Sequence, residues 1–137
     1  MSSPLLLIVD DEPTILELVA QVLLEEGYDV LMSGSGRAAL ELARQRAPNL
    51  ILLDLMMPEM NGWQVVGELK ASARTRAIPI LLLSARRDID KTARDLGVAD
   101  FIAKPFEIDE LLKRVEILLS QNTFGHPSGP SSTARPK

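Results

Sequence analysis

The stretch LILLDLMMPEMNG, residues 50–62, constrains the fold more than any other part of the chain. Its apolar run, Leu50 to Leu53, suits a strand covered on both faces, and such strands belong to parallel sheets packed between helices. Yet the run stops on a carboxylate, Asp54, with Pro58 and Gly62 soon after it. A core strand that ends in an acid is shaped by something besides packing.

The same kind of run recurs. LLLIV at 5–9, VLMS at 30–33, ILLLS at 80–84 and FIA at 101–103 are short, apolar and mostly bounded by acids, Pro or Gly. Between them lie apolar stripes at helical spacing. The first holds Ile15, Leu18, Val19, Val22 and Leu23, with Pro13 suited to its first turn and Gly27 to its end. Others are Ala39, Leu42 and Ala43; Gly62, Val65, Val66 and Leu69; Ile89, Ala93 and Leu96; and Ile108, Leu111, Leu112, Val115, Leu118 and Leu119. Five strands alternating with five helices predict an α/β, doubly wound parallel sheet.

Bulk properties fit one such domain. A chain of 137 residues fills a single core. Its net charge of −4, with Lys and Arg scattered, provides no basic stripe and argues against direct nucleic-acid binding. Without cysteine there is neither a disulfide framework nor a thiolate metal site, and the redox compartment stays open. The apolar stretch at 5–9 is too short for a signal-peptide core and no other stretch approaches a membrane span, so a soluble cytoplasmic protein is expected. Residues 1–121 form the expected domain. Beyond them, 122–137 are rich in Pro, Ser and Gly and are expected to be a disordered tail or linker.

Parallel α/β sheets bind ligands beyond the carboxyl ends of their strands. Asp10 and Asp11 follow the first strand, Asp54 ends the third, Ser84 ends the fourth, and Lys104 with Pro105 follows the fifth. Three aspartates that crowd together need a positive partner. Oxygen donors without His or Cys suit a hard divalent cation, Mg²⁺ rather than Ca²⁺, with Mn²⁺ as a substitute. Such an ion, Lys104 and the Ser84 hydroxyl would make a phosphoryl pocket, with Asp54 as the nucleophile giving an acyl phosphate. An isolated Asp10–Asp11 pair would read as a cap of the first helix. Asp54 and Lys104 in register favour the metal reading.

In combination IVDDE at 8–12, LLDLMMPEMNG at 52–62, LLSAR at 82–86 and FIAKPF at 101–106 resemble the receiver domain of two-component response regulators, of the single-domain chemotaxis-regulator type. The resemblance covers residues 5–120 and implies a flavodoxin-like (βα)5 fold with strand order 2-1-3-4-5. It implies that Asp54 accepts a phosphoryl group from a sensor histidine kinase or histidine phosphotransfer protein. Asp11, Asp54 and the Met56 backbone carbonyl would ligate Mg²⁺ directly, and Asp10 through a water. Lys104 would pair with the phosphoryl oxygens, and its bond to Pro105 is usually cis in this family. Ser84 and Phe101 are the implied switch pair, although many relatives have Thr and Tyr there. Met56 and Arg86 occupy positions that influence hydrolysis. Lys91, Asp100, Glu110 and Arg114 match an output face that favours a homodimer on phosphorylation, but the segment 84–97 is shorter than usual.

The implied protein is a phosphorylation-controlled binding module, not a multiple-turnover enzyme. Met1 immediately before the first strand suggests a natural N-terminus and a stand-alone regulator; the alternative is a receiver from a longer protein, with an unseen output domain. Other readings are a phosphorylation-independent interaction module and a Mg²⁺-dependent phosphohydrolase. Phosphohydrolases generally carry a second acid where Met56 stands. A nucleotide- or flavin-binding protein is disfavoured because acids, not a glycine-rich loop, follow the first strand. Trp63 is expected to pack at the start of the third helix, and His126 to lie idle in the tail.

Overall fold

The computed structural model describes residues 3–124. Strands β1 (Leu5–Val9), β2 (Asp29–Ser33), β3 (Leu50–Asp54), β4 (Ile80–Ser84) and β5 (Asp100–Ala103) alternate with helices α1 (Pro13–Glu25), α2 (Gly36–Arg46), α3 (Gly62–Ala71), α4 (Ile89–Leu96) and α5 (Ile108–Phe124). All strand pairs are parallel and the order is β2-β1-β3-β4-β5. This is the expected flavodoxin-like, doubly wound arrangement. β1, β3 and β4 are buried along nearly their whole length, because alternate side chains enter two different cores.

Leu7, Val9, Ile51, Leu53 and Leu82 point to one face and pack under α2, α3 and α4. On the other face Leu6, Ile8, Leu52, Leu81 and Leu83 pack under α1 and α5. Within α1 the buried stripe is Val19, Ala20 and Leu23, with Leu16 half-buried beside it. Leu18, expected on that stripe, is instead 48% exposed. It sits two residues from Leu16, about 200° around the helix, so the two leucines cannot face the same core.

Local chemistry sets the element ends. Pro13 opens α1, the Ser35 hydroxyl accepts the Ala38 N–H at the start of α2, and Asn61 with Gln64 forms a reciprocal capping box on α3. Gly97, at φ 71°, ends α4 in the left-handed conformation that glycine adopts without a Cβ penalty. α5 runs three residues past the boundary expected at 121. The rest of the expected tail, with His126, lies outside the described residues. Among the described residues no helix is long and apolar enough to cross a membrane.

Candidate functional site

Register brings the chemistry to one edge. Val9 pairs with Ser33 and Leu53, Asp54 with Leu83, and Ser84 with Ala103, so the carboxyl ends of all five strands finish nearly level. Asp10 emerges there from β1, Asp54 and Ser84 are the last residues of β3 and β4, and Lys104 directly follows β5.

Asp10 is buried. Its Oδ1 accepts the Glu12 N–H at 2.9 Å and its Oδ2 accepts from the Lys104 ammonium at 3.0 Å. The helix-cap reading of the Asp10–Asp11 pair fails geometrically, since the N-cap of α1 is Glu12 and no side chain caps it. Asp54 is also buried; its Oδ1 accepts the Met56 N–H at 3.2 Å and lies 3.6 Å from Lys104 Nζ. Asp11 stays exposed, yet one carboxylate oxygen from each of Asp10, Asp11 and Asp54 lies within 4.8 Å of the others.

Burial pushes the Asp54 carboxyl up to about 6, with Asp10 and Asp11 adding repulsion. Lys104 and the Met56 N–H act in the opposite direction without cancelling the rise. Three carboxylates against one ammonium leave an excess of negative charge in a partly desolvated cleft. The donors are all oxygen, so the set fits a hard divalent cation held by Asp10, Asp11 and Asp54.

Lys104 is fixed from behind. Its N–H donates to the Ser84 carbonyl at 2.8 Å, and the Lys104–Pro105 bond is cis, as expected. Ser84 is fully buried, and its Oγ accepts the Arg86 N–H at 3.1 Å. Phe101 is half-buried against the α2–α3–α4 core. The Met56 side chain is 54% exposed beside the site.

The expected output residues divide. Arg114 of α5 donates to Asp100 at 2.8 Å, to the Phe101 carbonyl at 2.9 Å and to Glu110 at 3.2 Å, which joins three of them in one cluster. Lys91 is not brought to that cluster, because its ammonium pairs with Asp95 one turn along α4. Sequence reasoning missed a different contact. The Arg86 guanidinium lies 5.1 Å from the Trp63 ring centroid and grips both Asp88 oxygens at 2.9 Å. The Arg86–Asp88 spacing was visible in the sequence, whereas the contact with Trp63 joins the loop after β4 to the first turn of α3 and has no local signature.

Comparison with known proteins agrees with this geometry. The family model described as response regulator receiver domain matches residues 6–116. The DNA-binding dual master transcriptional regulator RpaA of Synechocystis is 42% identical over 118 residues, covering 85% of this chain and 49% of its own. The DNA-binding response regulator MtrA of Mycolicibacterium smegmatis is 40% identical over 119 residues, covering 85% and 51%. This chain thus spans about half the length of the curated relatives it matches. Among solved structures, a Francisella response regulator receiver domain superposes with a TM-score of 0.80 at 30% identity, covering 87% of this chain and 98% of that one. The Vibrio cholerae chemotaxis protein CheY4 superposes with a TM-score of 0.80 at 28% identity, covering 85% and 99%. With the sheet order, the carboxylate edge and these matches in agreement, the chain belongs to the response regulator receiver domains.

Proposed function

We propose that this receiver domain takes a phosphoryl group on Asp54 from the phosphohistidine of a sensor kinase or phosphotransfer protein, in a Mg²⁺-dependent step. The observation that carries the reading is Lys104 bridging Asp10 and Asp54 at an edge where a third carboxylate, Asp11, converges. A carboxylate oxygen of Asp54 attacks phosphorus, an O–P bond forms, the donor's P–N bond breaks, and its electron pair returns to the imidazole. When bound, the metal neutralises charge developing on the phosphoryl oxygens. Lys104 supplies the remaining positive charge, and the rigid tip of β3 holds Asp54 still while the loop after it leaves it reachable.

Once modified, Asp54 carries new acceptor oxygens. Ser84 then serves as their donor, Phe101 adjusts beside it, and the face formed by α4, β5 and α5 is read by a partner, an output domain or a second copy of the domain. The protein is a switch, not a multiple-turnover enzyme, and its cation-poor edge leaves any DNA contact to another domain.

Incubation with acetyl phosphate and Mg²⁺ should add one phosphoryl mass to the intact protein, absent with EDTA and in Asp54→Asn. Failure to label under any donor would favour a phosphorylation-independent module, and steady turnover of small phosphate esters a phosphohydrolase.

Lifetime provides a separate expectation. Neither Met56 nor Arg86 offers a carboxamide or carboxylate to orient attacking water, and Arg86 is occupied by Asp88 and Trp63. Loss of label from purified phosphoprotein in Mg²⁺ should therefore be slow, and a half-life of seconds would refute this.

A further inference from the structure

We propose that Arg86 is a latch on the resting state, whose guanidinium, gripped by Asp88 and laid over Trp63, holds the loop after β4 where its amide keeps the Ser84 hydroxyl. The inference rests on the phosphoacceptor reading above and adds residues to it that no switch assignment includes.

The chain of contacts is continuous. Ser84 Oγ accepts the Arg86 N–H, so the buried hydroxyl is tied to the backbone of the residue whose side chain leaves the loop. That side chain has two anchors of different kinds. Both Asp88 oxygens accept from Nε and Nη2 at 2.9 Å, a planar fork that fixes the guanidinium's orientation. Its Cζ then lies over the indole of Trp63, 5.1 Å from the ring centroid, in the first turn of α3. Trp63 is itself held, since the ring packs half-buried against the core beneath α3. The loop is thereby pinned to α3 and not merely to itself.

For Ser84 Oγ to follow new oxygens on Asp54, either its bond to Arg86 N–H breaks or the loop moves with it. Both paths work against the anchored side chain. The anchors are individually weak: Arg86 is 39% and Asp88 49% exposed, and exposed ion pairs and cation–π contacts each change an equilibrium only by a few-fold. That size suits a latch. A restraint of this strength biases a two-state switch without locking it, and a phosphoryl group can overcome it. Arg86 is in this respect a positioning residue that acts through Ser84.

Lysine cannot replace it. An ammonium lacks both the planar fork and the flat face that stacks on indole, so charge alone does not rebuild the contact.

Beryllofluoride with Mg²⁺, a phosphoryl mimic that binds an aspartate without being hydrolysed, separates switching from lifetime. Titrated into the full chain, it should bind Arg86→Ala about three- to tenfold more tightly than wild type. Arg86→Lys should resemble the alanine variant, and Trp63→Leu should shift affinity the same way. The double variant Arg86→Ala/Trp63→Leu should fall short of the summed shifts, since the two residues share one contact. Iodide should quench Trp63 fluorescence more readily in resting Arg86→Ala than in wild type. Equal or weaker beryllofluoride affinity in Arg86→Ala, or full additivity in the double variant, would overturn the latch while leaving Asp54 as acceptor. Absence of binding by wild type and variants alike would remove the acceptor reading and the latch with it.

Discussion

Asp54→Asn is expected to make the metal-free protein more heat-stable at pH 8 while removing the proposed phosphoacceptor. The carboxyl sits at about 6 in the fold, raised first by burial and then by Asp10 and Asp11, against an ordinary 3.8. Below the ordinary value, folded and unfolded chains both hold the proton. As pH rises past it the unfolded chain releases its proton first, so the unfolded state gains stability relative to the fold until the folded group also ionises near 6. Asp54 therefore contributes a loss of stability that grows across that window and persists above it. Asparagine keeps an oxygen to accept the Met56 N–H and never ionises. Its melting temperature in EDTA should exceed wild type by on the order of several degrees at pH 8, with the gap closing toward pH 4. A variant that melts at or below wild type at pH 8 would contradict the charge argument.

The same imbalance would give the proposed metal its leverage. An ion that binds the folded carboxylates and not the dispersed ones stabilises the fold by mass action, so Mg²⁺ should raise the wild-type melting temperature at pH 8. The gain should shrink in Asp54→Asn, which has lost one of three donors, and should fade as pH drops through about 6 and protons compete for Asp54. Sodium at matched ionic strength serves as the control, because nonspecific screening would act on both proteins alike.

The site was legible in the sequence because its residues are boundary residues. A strand buried on both faces is continuously apolar, so Asp10, Asp54 and Ser84 stand out where hydrophobicity stops, and parallel pairing brings those stops to one edge. Strand beginnings were less legible. β2 opens on Asp29, whose N–H donates to the Pro4 carbonyl at 2.9 Å, and β5 opens on Asp100; backbone ladders start there although the side chains are polar. Leu18 shows a second limit, since leucines at 16 and 18 fit two overlapping stripes and only packing selects one. Side-chain contacts between separate elements left no trace at all. Nothing in the spacing of Trp63 and Arg86, or of Arg114 and the Phe101 carbonyl, announces that they meet.

Gly62 and Gly67, both in α3, should respond to the same substitution with opposite signs. Gly62 opens the helix, and its N–H donates to the Leu55 carbonyl at 2.8 Å. A Cβ there would lie 2.6 Å from the Leu55 Cα and 3.0 Å from its carbonyl oxygen, both backbone atoms that no rotamer change can move. Leu55 directly follows Asp54 and is fully buried, so relief must come from displacing the start of α3 or the loop that carries it. Gly62→Ala should cost about 1–3 kcal/mol in urea unfolding, the range for overpacking a tight interior. Because the displaced loop flanks Asp54, it should also slow labelling by acetyl phosphate. Gly67, by contrast, is exposed in mid-helix with nothing within 4 Å of its added Cβ. Gly67→Ala should stabilise by about 0.5–1 kcal/mol through helix propensity and leave labelling unchanged. If both variants shifted stability alike, the close approach of α3 to the end of β3 would not be what holds the acceptor loop in place.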